Sequence, residues 1–159
     1  MKQEKTNAMR QLDRKKLPYN VQSYAGGALS GTEVARALGQ DEACVFKTLV
    51  TVGRSGGHYV FLVPVARELD LRKAAAAVGE KSVAMLPQKE LLPLTGYVHG
   101  GCSPIGMKKQ FPTVIDATAR DCEHVFFSAG KIGLQIETAP QSLAALVPLR
   151  YVDLADGGQ

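Results

Sequence analysis

The sequence predicts a single α+β domain with one curved, barrel-like mixed sheet surrounded by helices. Three observations predict it. A chain of 159 residues with 45% hydrophobic content can bury one substantial core. Strand-like and helix-like segments are interspersed without the regular βαβ alternation of a doubly wound fold. Two β-branched and aromatic runs, Val45 to Val52 and Tyr59 to Val65, flank Gly53-Arg54-Ser55-Gly56-Gly57 and form a plausible antiparallel hairpin.

The elements follow from local signals. Thr6 can cap a helix running to Lys16, with Met9 and Leu12 as its apolar edge and Arg10 and Arg14 together on another face. Pro18 ends that helix, Tyr19 to Tyr24 alternates like a half-buried strand, and Gly26 and Gly27 close it. Ser30-x-x-Glu33 is a capping box that opens a helix through Ala35 and Leu38, and Gly39 stops it. After the hairpin, the alanine-rich Leu69 to Val78 predicts a helix ending at Gly79. A strand at Val83 to Leu86 leads to a helix started by Pro87. Strands are expected at Thr113 to Asp116, Val125 to Ser128 and Leu134 to Glu137, then a helix after Pro140 and a last strand from Leu149 to Val152.

Charge divides the chain in two. Residues 1 to 16 hold six basic and two acidic side chains, which accounts for the whole net charge of +4; the remaining residues balance thirteen against thirteen. This suggests a basic arm over 1–16 and a neutral domain over 17–154. A basic arm favours a polyanion through counterion release, although the same composition also serves solubility. The longest charge-free apolar run, Tyr59 to Ala66, is far too short for a membrane span, and the opening Met-Lys-Gln-Glu-Lys-Thr lacks the apolar stretch of a signal peptide. The expectation is a cytoplasmic protein. Cys44, Cys102 and Cys122 are odd in number and show no two-residue spacing, so they read as reduced thiols. His58, His99 and His124 stand far apart, and neither a metal site nor a cofactor is expected.

Two features could carry chemistry. Lys47 interrupts the apolar strand Val45-Phe46-Lys47-Thr48-Leu49-Val50, where a charge must be solvated, paired or used. Alternation permits an outward-facing lysine opposite inward Phe46; a lysine in a pocket would instead hold a phosphate or a developing oxyanion. The stretch Thr95 to Gly106 has four glycines and one proline in twelve residues, and such a loop can bring backbone N–H groups against a ligand or simply turn. Lys108 and Lys109 follow it. Other chemistries fail: Gly101-Cys102-Ser103-Pro104-Ile105-Gly106 is no Gly-x-Ser-x-Gly elbow, and Pro104 removes the donor that elbow uses. Cys102 and His99 lack a visible third orienting group. No nucleotide-binding glycine motif matches.

Phe46-Lys47-Thr48-Leu49, Gly96 to Lys109, and Ser128-Ala129-Gly130-Lys131-Ile132-Gly133-Leu134 with Ala139-Pro140 together resemble the YbaK/EbsC family, related to the editing domain inserted in bacterial prolyl-tRNA synthetases. The likeness runs from about Leu17 to Val152. It implies the compact fold of that family and hydrolysis of the ester joining a wrong amino acid to tRNA, most characteristically Cys-tRNA(Pro), with Cys-tRNA(Cys) also in range. It further implies that Lys47, Gly100, Gly101 and Ser103 are catalytic, that Tyr24, Thr48, Cys102 and Gln135 contact substrate, and that the substrate's own thiol assists cleavage. The acceptor end of tRNA would lie on Arg10, Arg14, Lys108, Lys109 and Lys131, with prolyl-tRNA synthetase as a further partner that the relation allows. His99 and Cys102 stand where relatives are commonly aliphatic, and Gln135 stands where an acidic or small polar residue is expected. Ala-tRNA(Pro) deacylation, a non-catalytic tRNA- or synthetase-binding module and a thiol-redox role for Cys102 are the rival readings.

Overall fold

The computed structural model describes residues 5–24 and 30–156. Its elements come in the order α1 (Asn7–Arg14), β1 (Asn20–Ser23), α2 (Gly31–Ala37), β2 (Phe46–Gly53), β3 (His58–Pro64), α3 (Leu71–Val78), β4 (Val83–Met85), α4 (Gln88–Thr95), β5 (Thr113–Asp116), β6 (Val125–Ser128), β7 (Leu134–Thr138), α5 (Pro140–Leu146) and β8 (Leu149–Val152). Short 3-10 turns at Glu42–Cys44 and Ala117–Asp121 precede β2 and follow β5. Gly26 and Gly27 lie outside the described residues.

The caps form where their residue types require. The Thr6 hydroxyl accepts from the Met9 N–H, which starts α1. In α2 the Ser30 hydroxyl accepts from the Glu33 N–H while the Glu33 carboxylate accepts from the Ser30 N–H at 2.8 Å, so the capping box is complete. Ala8, Met9 and Leu12 are buried beside α5, which docks the basic helix on the domain and leaves Arg10 and Arg14 exposed.

The predicted single barrel-like sheet is corrected: the described strands form two sheets and no closed barrel. Five strands run β4-β2-β3-β5-β8 and three run β1-β7-β6. β2 and β3 are the expected hairpin, and β5 lies parallel to both β3 and β8, which makes the larger sheet mixed. The two sheets touch through one bridge, Val45 to Phe126. Closure fails because β6 reaches β2 only at its start, while β4 pairs with its far end at Thr51 to Gly53. Phe46, Val50 and Leu62 face one core with α1 and α5; Phe61, Val63 and Val114 face a second core, where Ala74, Ala75 and Ala77 let α3 approach the sheet closely.

The expectation of three reduced thiols is also overturned. Cys44 and Cys122 form a disulfide across 78 residues of sequence, because the two 3-10 turns pack side by side. Spacing rules detect cysteines close in sequence and are blind to a pair made neighbours by the fold. In the chain-entropy account, closing a loop of that length contributes about 4 kcal/mol when the bond is formed.

One buried charge ties the chain's end to the sheet. Asp116 is 1% exposed and accepts from the N–H groups of Leu154 and Ala155 and from the Thr118 N–H and hydroxyl. Burial alone would raise its pKa, but these donors outweigh it and hold the carboxyl below its ordinary 3.8. The group therefore contributes stability above the unfolded-state value, and that stability is lost as pH falls through the lower folded value. Asp116→Ala should cost roughly 3 kcal/mol at neutral pH, since it orphans buried donors. Thermal melts should show the gap to wild type narrowing below about pH 4.

Candidate active site

Because β6 and β4 take opposite ends of the same edge of β2, a stretch of that edge is left open. Val65 N–H donates to the Val45 carbonyl and Gly53 N–H to the Gly57 carbonyl, so odd-numbered residues of β2 exchange hydrogen bonds with β3. Even-numbered residues point theirs the other way, where the Val50 carbonyl accepts from Leu86 N–H. Alternation thus aims the N–H and C=O of Thr48 into the gap. A cavity of about 500 Å³ occupies it, bounded by α2, β4, α4, the glycine loop, β6 and β7.

Seven of the residues singled out from sequence meet in its wall: Tyr24, Lys47, Thr48, His99, Gly100, Cys102 and Gln135. Lys47 is the one lysine or arginine among the described residues that line it. Its ammonium lies 3.0 Å from the Glu68 carboxylate, with the lysine side chain 28% exposed and the glutamate 77% exposed. An ion pair with so exposed a partner is weak and readily exchanged. The Thr48 hydroxyl is buried without a hydrogen-bond partner among the described residues. Tyr24 is anchored by its N–H on the Gly133 carbonyl.

The glycine loop is built around Tyr97. Its hydroxyl donates to the Ile105 carbonyl at 2.6 Å, and its N–H donates to the Thr95 hydroxyl. A Cβ at Gly106 would meet the Tyr97 hydroxyl and the backbone of α1; one at Gly130 would meet the Tyr97 ring at 2.8 Å. These glycines allow the loop, α1 and the 130–133 turn to close on one ring. Gly100 and Cys102 reach the cavity, whereas Gly101 and Ser103 are not among its lining residues. Ser103 is fully buried and its hydroxyl accepts from the Ile105 N–H.

Cys102 makes a poor nucleophile. Burial pushes its thiol up to about 12, which leaves almost no thiolate near neutrality. Exposed His99 also borders the cavity, but no hydrogen bond joins it to Cys102 among the described residues. For the ester hydrolysis that the sequence resemblance implies, Cys102→Ser should accordingly keep kcat/KM within about twofold of wild type.

The basic residues Arg10, Arg14, Lys108, Lys109 and Lys131 are all exposed and none lines the cavity. Two participants were invisible in the sequence. Gln40, just past the Gly39 stop, exchanges both amide bonds with Gln135 at 2.6 and 3.1 Å and fixes that 4%-exposed side chain in the wall. Glu68 carried no signal, because its partnership with Lys47 is tertiary. Among the described residues, no group of three or more histidine, cysteine or acidic side chains is placed to hold a metal ion.

Residues 27–146 match the model of the aminoacyl-tRNA editing domain. The chain belongs to this family. Across 154 residues this editing domain is 46% identical to EbsC of Enterococcus faecalis (strain ATCC 700802 / V583), a protein provisionally named Cys-tRNA(Pro)/Cys-tRNA(Cys) deacylase; the match spans 96% of the chain and 94% of the relative. A solved structure provisionally described as a trans-editing enzyme for prolyl-tRNA synthetase superposes with a TM-score of 0.85 at 28% identity, covering 95% of this chain and 96% of that one. A second, described only as a hypothetical protein, gives a TM-score of 0.86 at 21% identity over 95% and 100% of the two chains, a likeness of fold. The YbaK/EbsC resemblance read from the motifs is thus confirmed for the editing domain.

Proposed function

We propose that the chain is a deacylase that clears cysteine from tRNA(Pro), and from tRNA(Cys), by hydrolysing the aminoacyl ester. The similarity to EbsC over nearly the full length carries this reading. The cavity adds physical support: it presents the Lys47 ammonium, an open strand edge and a glycine loop, but no activated nucleophile among the described residues.

The terminal ribose and aminoacyl group would occupy the gap in the β2 edge. Lys47 would leave exposed Glu68 for phosphate or ribose-proximal oxygens, and the loop N–H groups at Gly100 and Cys102, which reach the cavity together, would polarise the ester carbonyl. The substrate's thiolate then adds to its own carbonyl carbon. Collapse of the tetrahedral oxyanion breaks the bond to the ribose 3′ oxygen, which takes up the thiol's proton. Water opens the resulting thiolactone, so the net reaction consumes one water and yields free cysteine and tRNA. Partnership with prolyl-tRNA synthetase and action in the cytoplasm, where tRNA is charged, belong to the same proposal. No helix among the described residues is long and apolar enough to cross a membrane.

The test is a panel of tRNA(Pro) and tRNA(Cys) carrying cysteine, alanine, serine or proline, incubated with the enzyme and followed by ester loss. Cysteine should disappear fastest from both tRNAs. Preferential loss of alanine would reassign the substrate, and binding without ester loss at excess protein would make the chain a tRNA-binding module.

A further inference from the structure

Helix α4 separates two concavities. Gln88 and Leu91 face the cavity described above, while Lys89, Glu90, Pro93 and Leu94 border a second, more open hollow of about 450 Å³ that His58 closes from the start of β3. Lys108 and Lys109 flank this hollow: Lys108 Nζ donates to the Pro93 carbonyl at 3.3 Å, and Lys109 Nζ sits 6.0 Å from the Phe111 ring, which also packs on His58. Among the described residues, Glu90 is the one acidic side chain lining the hollow, and none of these three lysines is in an ion pair.

The apolar surface is distributed just as unevenly. Of the five large hydrophobic side chains exposed among the described residues, Met85, Leu92, Val98 and Ile132 all belong to segments around the first cavity's mouth, and only Leu71 lies elsewhere. Leu92 shares a face of α4 with Gln88 and Lys89. Val98 precedes lining residue His99, and Ile132 lies within 3.8 Å of where a Gly100 Cβ would be.

We infer that this surface, running from the mouth over α4 into the hollow at His58, is the track for the unpaired 3′ strand of tRNA. An unpaired strand offers apolar base faces and a row of phosphates at once, which is the combination presented here: Leu92, Val98 and Ile132 for bases, and Lys89, Lys108 and Lys109 for the backbone. Double-stranded RNA would leave the apolar rim uncovered, because its bases are stacked inside. The inference rests on the deacylase reading for its orientation: the acylated end enters the first cavity and the preceding nucleotides cross α4.

The test uses Lys89→Glu and Leu92→Ser, both at exposed positions, with Leu71→Ser on distant α3 as a control. Each test variant should raise KM for Cys-tRNA(Pro) about tenfold with kcat unchanged, and should leave hydrolysis of the 3′ cysteinyl ester of adenosine alone unaffected. Equal losses on both substrates, or no change on either, would overturn the track. A second measurement does not depend on catalysis: fluorescence anisotropy of an uncharged hairpin RNA with an unpaired 3′ tail, titrated with each protein over a range of salt. Lys89→Glu should weaken binding and lower the salt slope by about 1. Unchanged affinity and slope would sink the inference even if the enzyme proves to be a deacylase. A wild type that binds the tail but spares the ester would sink the deacylase reading and keep the track.

Discussion

Lys47→Ala should lower kcat/KM for Cys-tRNA(Pro) by about 100-fold or more, the scale on which a preorganised charge beside the ribose oxygen that departs from the ester acts. The expectation follows from the composition of the cavity wall, where Lys47 has no cationic substitute among the described residues. Stability should barely change, since the only charge partner lost among the described residues is Glu68, itself 77% exposed, and exposed pairs contribute at most about 1 kcal/mol. Glu68→Ala separates the two roles: it should keep most activity, because the mutation frees the ammonium. Single-turnover deacylation alongside thermal melts reads both quantities. Wild-type turnover by Lys47→Ala would remove this lysine from the chemistry.

Cysteinyl-tRNA(Pro) should be cleaved at least about 100-fold faster than seryl-tRNA(Pro), because a thiol of pKa near 8.5 is a few per cent ionised at neutral pH and a hydroxyl is essentially not. The two esters have nearly the same shape, so the comparison isolates the attacking atom. The cysteine reaction should also rise about tenfold per pH unit up to the substrate thiol's pKa, near 8.5, and then level off. Sign and cause agree: the reactive species is the deprotonated one, and its fraction grows with pH. Buried Cys102, pushed up to about 12, cannot supply an inflection in that range. Equal rates for the two esters would point to a water nucleophile instead.

Local chemistry made most of the fold legible. The Ser30–Glu33 box, the turn between β2 and β3, and the Pro140 helix start announce themselves within a few residues, and β5, β6 and β8 lie where their apolar runs predicted. The sheet's failure to close was illegible, because it depends on β6 and β4 competing for one edge of β2, and no local pattern records such a competition. The same limit hid the Cys44–Cys122 bond and the Gln40–Gln135 pair, which join residues 78 and 95 apart in sequence. Lys47 was conspicuous as a charge in an apolar strand, yet alternation could not decide whether it faced solvent or a pocket. It does some of each: it is opposite Phe46, as the outward reading required, but at an edge where that face opens into the cavity.

The open stretch of β2 gives the cavity a floor made partly of main chain. Peptide groups are identical at every position, so the N–H and C=O aimed inward at Thr48 survive any non-proline substitution there. Under the deacylase reading, holding the ester is thereby uncoupled from choosing the amino acid. Side chains such as Gln135, His99 and Cys102 are then free to drift, and with them the substrate, while the surface that presents the bond for cleavage is inherited intact.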